Sequence, residues 1–204
     1  MKETEAKFPL SSTQYNEIKD YLFRLTSYKK YTLSKGKNLI IDSSYYDTTD
    51  RTLIKERCML RIIKKDGDNI LSFKKREGQR LNVVMRTSYS ALVNNIDINK
   101  SDIEPIQKAR EIIGDVILRE VSKIRTVRDI IYFKCDTFFC EVRLDNVVVL
   151  EPRSDHFHEL EFDLKKGDFE SFRELLEQIH NDFGVGLSRQ SKFERALEIP
   201  EESL

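Results

Sequence analysis

The chain has 204 residues in which 35 Lys+Arg are balanced by 35 Asp+Glu, so 34% of it is charged while the formal net charge is zero. That balance excludes a generic basic coat for duplex nucleic acid, and 39% hydrophobic residues, with 12 Phe and 8 Tyr, exclude a disordered chain. No apolar run approaches the roughly 18 residues of a membrane helix. The opening Met1-Lys-Glu-Thr-Glu has no leader-peptide character, so a soluble, cytoplasmic protein with no membrane partner is expected.

Strand-like period-two alternation begins at Lys2, followed by a helical pattern over residues 12–25 with Ser11 or Ser12 as its cap. Lys29, Lys30, Lys35 and Lys37 read as a basic loop. Alternation returns over 39–46, 59–64, 70–76 and 82–89, and Gly67 and Gly78 supply turns between adjacent basic strands, which implies antiparallel hairpins. Residues 94–104 resemble a connection, and a helix over 104–113 ends at Gly114. Further strands are expected over 124–135, 138–150 and 156–164, then a helix over 169–183 ended by Gly184. About eight strands and three amphipathic helices form a single domain over 1–204, with 198–204 a frayed acidic tail.

The strands carry their charges on one face. Glu3, Glu5 and Lys7 alternate with Thr4, Ala6 and Phe8; Glu141, Arg143 and Asp145 with Val142 and Leu144; Glu159, Glu161 and Asp163 with Leu160, Phe162 and Leu164. Among the basic strands Arg57, Met59 and Arg61 share a face, as do Ser72, Lys74 and Arg76, while Lys123 and Arg125 lie opposite Ile124. Residues 51–100 hold 12 Lys+Arg against 5 Asp+Glu (+7), and residues 141–182 hold 5 against 12 (−7). Three amphipathic helices need an apolar partner, and the outer face of a sheet can supply it. The expected fold is therefore α+β and mainly β: a closed, antiparallel, eight-stranded barrel with a polar lumen, flanked by the helices. Carboxylates crowded in that lumen would repel by roughly 4 kcal/mol per pair at 4 Å and effective dielectric ~20. Divalent cations with a taste for oxygen ligands, Mg²⁺ or Mn²⁺, would offset this, and Lys and Arg from neighbouring strands would grip phosphates.

The ordered set Glu3-Thr-Glu5-Ala-Lys7, Tyr45-Tyr46-Asp47, Leu60-Arg61, Ser72-Phe73-Lys74, Arg86, Lys123-Ile-Arg125, Leu144-Asp145, Phe157-His-Glu159-Leu-Glu161 and Ser191-Lys192-Phe193 resembles the CYTH domains, or triphosphate tunnel metalloenzymes. The resemblance implies an eight-stranded tunnel in which Glu3, Glu5, Asp145, Glu159 and Glu161 hold two Mg²⁺ or Mn²⁺ ions. It further implies that Arg61, Lys74, Arg86, Arg125 and Lys192 contact a triphosphate, and that Lys7 touches phosphate or orients the attacking water, with Lys7 and Glu161 as the catalytic pair. Arg57, Arg76, Lys123, Glu141 and Arg143 are additional candidate contacts. Where members of the family often have a further Arg and acidic residues, this chain has Ile63, Ser88 and Ser90.

The function expected is a divalent-metal-dependent triphosphatase acting on a small-molecule triphosphate, with inorganic tripolyphosphate first, then thiamine triphosphate or a nucleoside triphosphate. The rivals are a class IV adenylate cyclase making cyclic AMP and pyrophosphate, and a non-catalytic polyphosphate- or nucleotide-binding module. Homodimerisation through an apolar outer face stays open. His156 and His158 fall on the Leu160 face, away from the carboxylates, and His180 sits late in a helix where a structural role is expected. Tyr45, Tyr46, Phe138 and Phe139 read as barrel packing. Cys58, Cys135 and Cys140 lack metal-site spacing and are expected as reduced thiols without a role.

Overall fold

A computed structural model describes residues 1–199. In chain order it contains β1 (Lys2–Leu10), α1 (Ser12–Arg24), β2 (Ser27–Tyr28), β3 (Tyr31–Asp47), α2 (Thr52–Lys55), β4 (Cys58–Lys65), β5 (Asp68–Arg80) and β6 (Val83–Leu92). These are followed by α3 (Glu104–Ile113), β7 (Arg119–Cys135), β8 (Phe138–Glu151), β9 (Asp155–Lys166), α4 (Phe169–Phe183) and α5 (Lys192–Ala196). The sheet runs β2-β3-β4-β5-β6-β1-β9-β8-β7, and β7 pairs back onto β3, so eight strands close into an antiparallel barrel to which the two-residue β2 is appended.

The barrel is inverted, and its apolar register explains why. Ala6, Phe8 and Leu10 of β1, Val142 and Leu144 of β8, and Leu160 and Phe162 of β9 point outward. There they meet Tyr15, Ile18 and Leu22 of α1 and Phe172, Leu175, Leu176 and Ile179 of α4 in one buried cluster. A second outer cluster joins Leu60, Leu71 and Phe73 to Ile106, Ala109 and Ile113 of α3. Each of these large side chains contributes about 1.5–3 kcal/mol on burial, so most of the hydrophobic stabilisation lies outside the barrel and the middle of the lumen is left to polar groups. Local signals fix the helices: Ser11 and Gln14 form a capping box at α1, Asp168 accepts from the Ser171 N–H at 2.8 Å, and Gly114 and Gly184 end α3 and α4 with positive φ.

A third apolar cluster lies inside. The short α5 enters one end of the barrel, where Phe193 stacks on Tyr45 at 4.5 Å between ring centroids and packs against Ile124, Val147, Val149 and Phe157. These residues share the lumenal face of their strands, so α5 plugs that end with a small core of its own.

The structure differs from the sequence expectations in several places. β3 starts at Tyr31, not at residue 39, so Lys35 and Lys37 lie on a strand; Lys29 and Lys30 sit at the β2–β3 turn and pair with Asp182 and Glu174 at 2.8 and 2.6 Å. The expected basic loop does not exist. The short α2 and α5 were not anticipated. Residues 94–104 are not a free linker, since Ile98 is buried and Asn99 bonds both backbone groups of Leu118. Of the expected frayed tail, residues 200–204 lie outside the described residues, while Glu198 pairs with Arg153. His158 stacks on Tyr15 of α1 at 4.4 Å, and the ring of His180 bonds the Val185 carbonyl at 2.6 Å. Cys58 and Cys140 are buried, and burial pushes the Cys58 thiol up to about 11. Among the described residues, no helix is long and apolar enough to cross a membrane.

Candidate active site

Closing the sheet brings the basic strands β4–β6 to face the acidic strands β1, β9 and β8 across one lumen. The register sets the neighbours: Glu3 lies opposite Arg86, Lys7 opposite Glu161, Glu161 opposite Arg143, and Asp145 opposite Glu159. The cavity between them measures about 200 Å³.

Glu5 and Glu161 line its acidic wall, and Glu161 belongs to a compact cluster of carboxylates. Asp145, Glu159 and Glu161 are all buried, and one carboxylate oxygen from each lies within 4.8 Å of the others. The Lys192 ammonium, delivered from the first turn of α5, sits where they converge: 2.8 Å from Asp145, 3.2 Å from Glu161, and in contact with Glu159. Arg128 grips Asp145 bidentately at 2.7 and 2.6 Å. Lys7 bridges Glu5 at 3.0 Å and Glu161 at 2.9 Å. Glu5 also contacts Arg86, and Lys74 lies 2.5 Å from Glu3 and 3.5 Å from Glu5. Arg143 reaches three carboxylates: Glu141 and Asp163 at 2.6 Å each, and Glu161.

These contacts set the protonation states. Burial opposes ionisation of Glu5, Asp145 and Glu161, but the surrounding cations outweigh it, holding Glu5 and Glu161 well below the usual carboxylate range and Asp145 below it. Glu159 is shifted the other way, because burial and the adjoining Glu161 and Asp145 outweigh Lys192 and Lys7. Burial likewise disfavours the charge on Lys192, yet its three carboxylates keep it firmly protonated.

An ammonium seated among three buried carboxylates marks a point built for positive charge. An all-oxygen donor set of this kind suits a hard divalent cation such as Mg²⁺ or Mn²⁺ and offers nothing to a thiophilic one. Asp145, Glu159 and Glu161 therefore fit a metal, with Glu5 joined to them through Lys7.

Arg61 differs from Lys7, Lys74, Arg86, Arg128, Arg143 and Lys192, all of which pair with carboxylates. It donates to the Tyr45 hydroxyl at 3.1 Å, its buried Nε has no partner, and among the described residues no carboxylate pairs with it. Its charge is free for an anion.

The sequence-based candidates divide into two groups by where the fold places them. Glu3, Glu5, Lys7, Arg61, Lys74, Arg86, Asp145, Glu159, Glu161 and Lys192 gather around the lumen, with Glu141 and Arg143 beside them. Arg76 sits at the α5 end, where it bonds Glu194 at 3.1 Å and the Arg189 carbonyl. Arg57 is exposed outside the barrel end. Arg125 and Lys123 do not face the lumen: Arg125 forms an exposed bidentate pair with Asp42, at 2.7 and 3.0 Å, and Lys123 pairs with Glu120 and Glu151. Both line a separate external groove. The physical reason is α5. Ile124 points inward to pack on the plug, so the even-numbered residues of β7 form its lumenal face and Arg128 takes the inward place that had been expected of Arg125. Alternation alone does not reveal Arg128, because in an inverted barrel an apolar residue on an otherwise ionic strand marks the outer face, and Ile124 breaks that rule.

The sequence profile of the CYTH domain matches residues 1–197. The chain belongs to the CYTH domain family. Its fold is similar to that of a candidate adenylate cyclase from Bacillus halodurans (TM-score 0.70, 16% identity, covering 95% of this chain and 97% of that one). It is similar to HpAC1 from Hippeastrum, a candidate adenylyl cyclase with a dominant triphosphatase activity (TM-score 0.71, 20% identity, 98% and 99% covered). The mimivirus capping enzyme triphosphatase shares the fold at TM-score 0.50 and 14% identity, with 87% of each chain covered. No curated protein sequence matches the chain. The lumen of this CYTH domain is thus the shared tunnel of the fold, lined with its own set of paired charges.

Proposed function

We propose that this CYTH domain is a divalent-metal-dependent triphosphatase that removes the terminal phosphate of a small-molecule triphosphate inside the tunnel. The observation that carries the reading is the Arg61 guanidinium, which no carboxylate pairs among the described residues, in one cavity with Glu161 of the Asp145–Glu159–Glu161 cluster. A simple anion receptor gains nothing from a buried acidic floor, and a simple metal site gains nothing from a free arginine. A metal-bound polyphosphate uses both.

In this reading Asp145, Glu159 and Glu161, with Glu5 and Glu3, hold two Mg²⁺ or Mn²⁺ ions. Such ions, when bound, neutralise phosphoryl oxygens and lower the pKa of a coordinated water. Arg61, Lys74 and Arg86 orient the triphosphate chain, with Arg61 suited to two-pronged contact. Lys7, held between Glu5 and Glu161, is placed to stabilise charge developing on the transferred phosphoryl group or to orient the attacking water. Lys192, now paired with Asp145, Glu159 and Glu161, would be free to meet the substrate's phosphates if metal ions were held by those carboxylates. Phosphoryl transfer relies mainly on positioning and electrostatics, so the site needs no Ser, Cys or His nucleophile.

The test is a product-resolved assay with tripolyphosphate, ATP and thiamine triphosphate, each with Mg²⁺, Mn²⁺ or EDTA. Metal-dependent release of orthophosphate is expected. Cyclic AMP with pyrophosphate would make the protein a cyclase, and tight binding without any turnover would make it a binding module.

A further inference from the structure

The tunnel is not charged throughout. Along β4 the lumenal residues are Met59, Arg61, Ile63 and Lys65, so the free guanidinium of Arg61 is followed by an isoleucine two residues nearer the end opposite α5, roughly 6.7 Å along the strand. Ile63 lies directly opposite Ile70 of β5 and, on its other side, opposite Ser43 of β3; Ile41 occupies the same β3 face two residues from Ser43. All three isoleucines line the cavity and are half-buried, unlike the fully buried apolar residues of the outer clusters. The hydroxyls of Ser43 and Thr126 line the same stretch. An aliphatic partial collar, formed by three adjacent strands on one wall of the tunnel short of Lys65, does nothing for a bare polyanion, whose oxygens would lose water there and gain no partner. It does suit an uncharged group carried outward from a phosphate chain anchored on Arg61, with two hydroxyls to meet the polar edge of that group.

We infer that Ile41, Ile63 and Ile70 are specificity-determining residues that seat the planar ring system of an organic triphosphate, so that such an ester is preferred to inorganic tripolyphosphate. The inference rests on the triphosphatase reading for its phosphate anchor, and it departs from the expectation that tripolyphosphate comes first.

The experiment compares full-length wild type with Ile63→Ser and, separately, Ile41→Ser. It measures steady-state constants for ATP, thiamine triphosphate and tripolyphosphate with Mg²⁺ or Mn²⁺, together with calorimetric binding of the same three compounds in EDTA. At least one organic triphosphate is expected to exceed tripolyphosphate in kcat/KM by about tenfold or more, and the two organic substrates tell which ring fits. Each serine variant is expected to raise KM for that ester roughly tenfold while changing tripolyphosphate constants less than twofold. A wild type that prefers tripolyphosphate, or variants that weaken all three compounds equally, would overturn the collar and leave the triphosphatase intact. If nothing is turned over, ring-dependent binding that Ile63→Ser abolishes would uphold the collar and sink the triphosphatase, whereas equal or absent binding would overturn the collar as well. Both positions are half-exposed to the cavity, and matching circular dichroism spectra of the variants would exclude misfolding.

Discussion

A lysine and a lone arginine state the chemistry of the tunnel at the scale of single residues. Lys192 supplies a positive charge at the convergence of three buried carboxylates, whereas Arg61 carries a positive charge that no carboxylate answers. Charge-assisted hydrogen bonds contribute about 1.5–3 kcal/mol each, so Arg61→Ala is expected to lower kcat/KM for the triphosphate by roughly 10- to 100-fold. Because Arg61 has no acidic partner to strand, the same change should barely move the unfolding temperature. Unaltered steady-state constants would remove Arg61 from the site. By contrast, removing one member of a matched pair leaves a buried charge uncompensated, which is why the cations around Glu5 and Asp145 bind function and stability together.

Two elements invite tests of how the barrel is built. The four-residue α2 has no side-chain cap at Arg51; instead the fully buried Asp47 carboxylate, at the end of β3, accepts from the N–H groups of Thr48, Leu53 and Ile54 at 2.7, 2.8 and 3.1 Å. Asp47→Ala would strand these donors and loosen Leu53 and Ile54 from two apolar clusters. A loss of about 3 kcal/mol in urea unfolding is expected, and an unchanged midpoint would contradict it. On β7, Arg128→Ala removes the bidentate support of Asp145 and should cost roughly 10- to 100-fold in activity, while Arg125→Ala, on the outer face, should leave activity within twofold. The reverse result would mean that β7 is shifted by one residue. Much at this scale was legible in the sequence. Helices over 104–113 and 169–183 end where Gly114 and Gly184 imply, and Asp168 caps the second. The ionic and apolar faces of β1, β8 and β9 follow from alternation alone. The first part of β3 was not legible, because its alternation is limited to Tyr31 and Leu33, which are buried in the outer cluster, while Ser34 to Lys37 is polar and takes its strand character from a ladder with the distant β7. The α5 plug was legible in principle, since Ser191 and Glu194 are spaced as a capping box. Without the plug, nothing in β7 said that Ile124 points inward, and the Arg125–Arg128 exchange follows from that omission.

For the whole molecule, the segregation of charge along the chain acquires a use. The basic middle and the acidic later part are joined through β1, so their ionic faces meet in one enclosed space while the helices cover the apolar outside. The overall balance of 35 cations and 35 anions is thus partly an internal match between tunnel walls. The ion pairs of the lumen hold the site in register, and a metal-bound triphosphate is the group proposed to complete them. One comparison tests this most directly: phosphate release from tripolyphosphate and ATP by wild type and by Glu161→Gln, with Mg²⁺ or Mn²⁺ and with EDTA, on proteins whose cooperative melting has been verified. Glu161 is shared by Lys7, Arg143 and Lys192 and belongs to the three-carboxylate cluster. Metal-dependent turnover by wild type is expected, with none in EDTA and a loss of at least about a thousandfold in the folded variant. Turnover by Glu161→Gln at the wild-type rate, or turnover indifferent to EDTA, would contradict it.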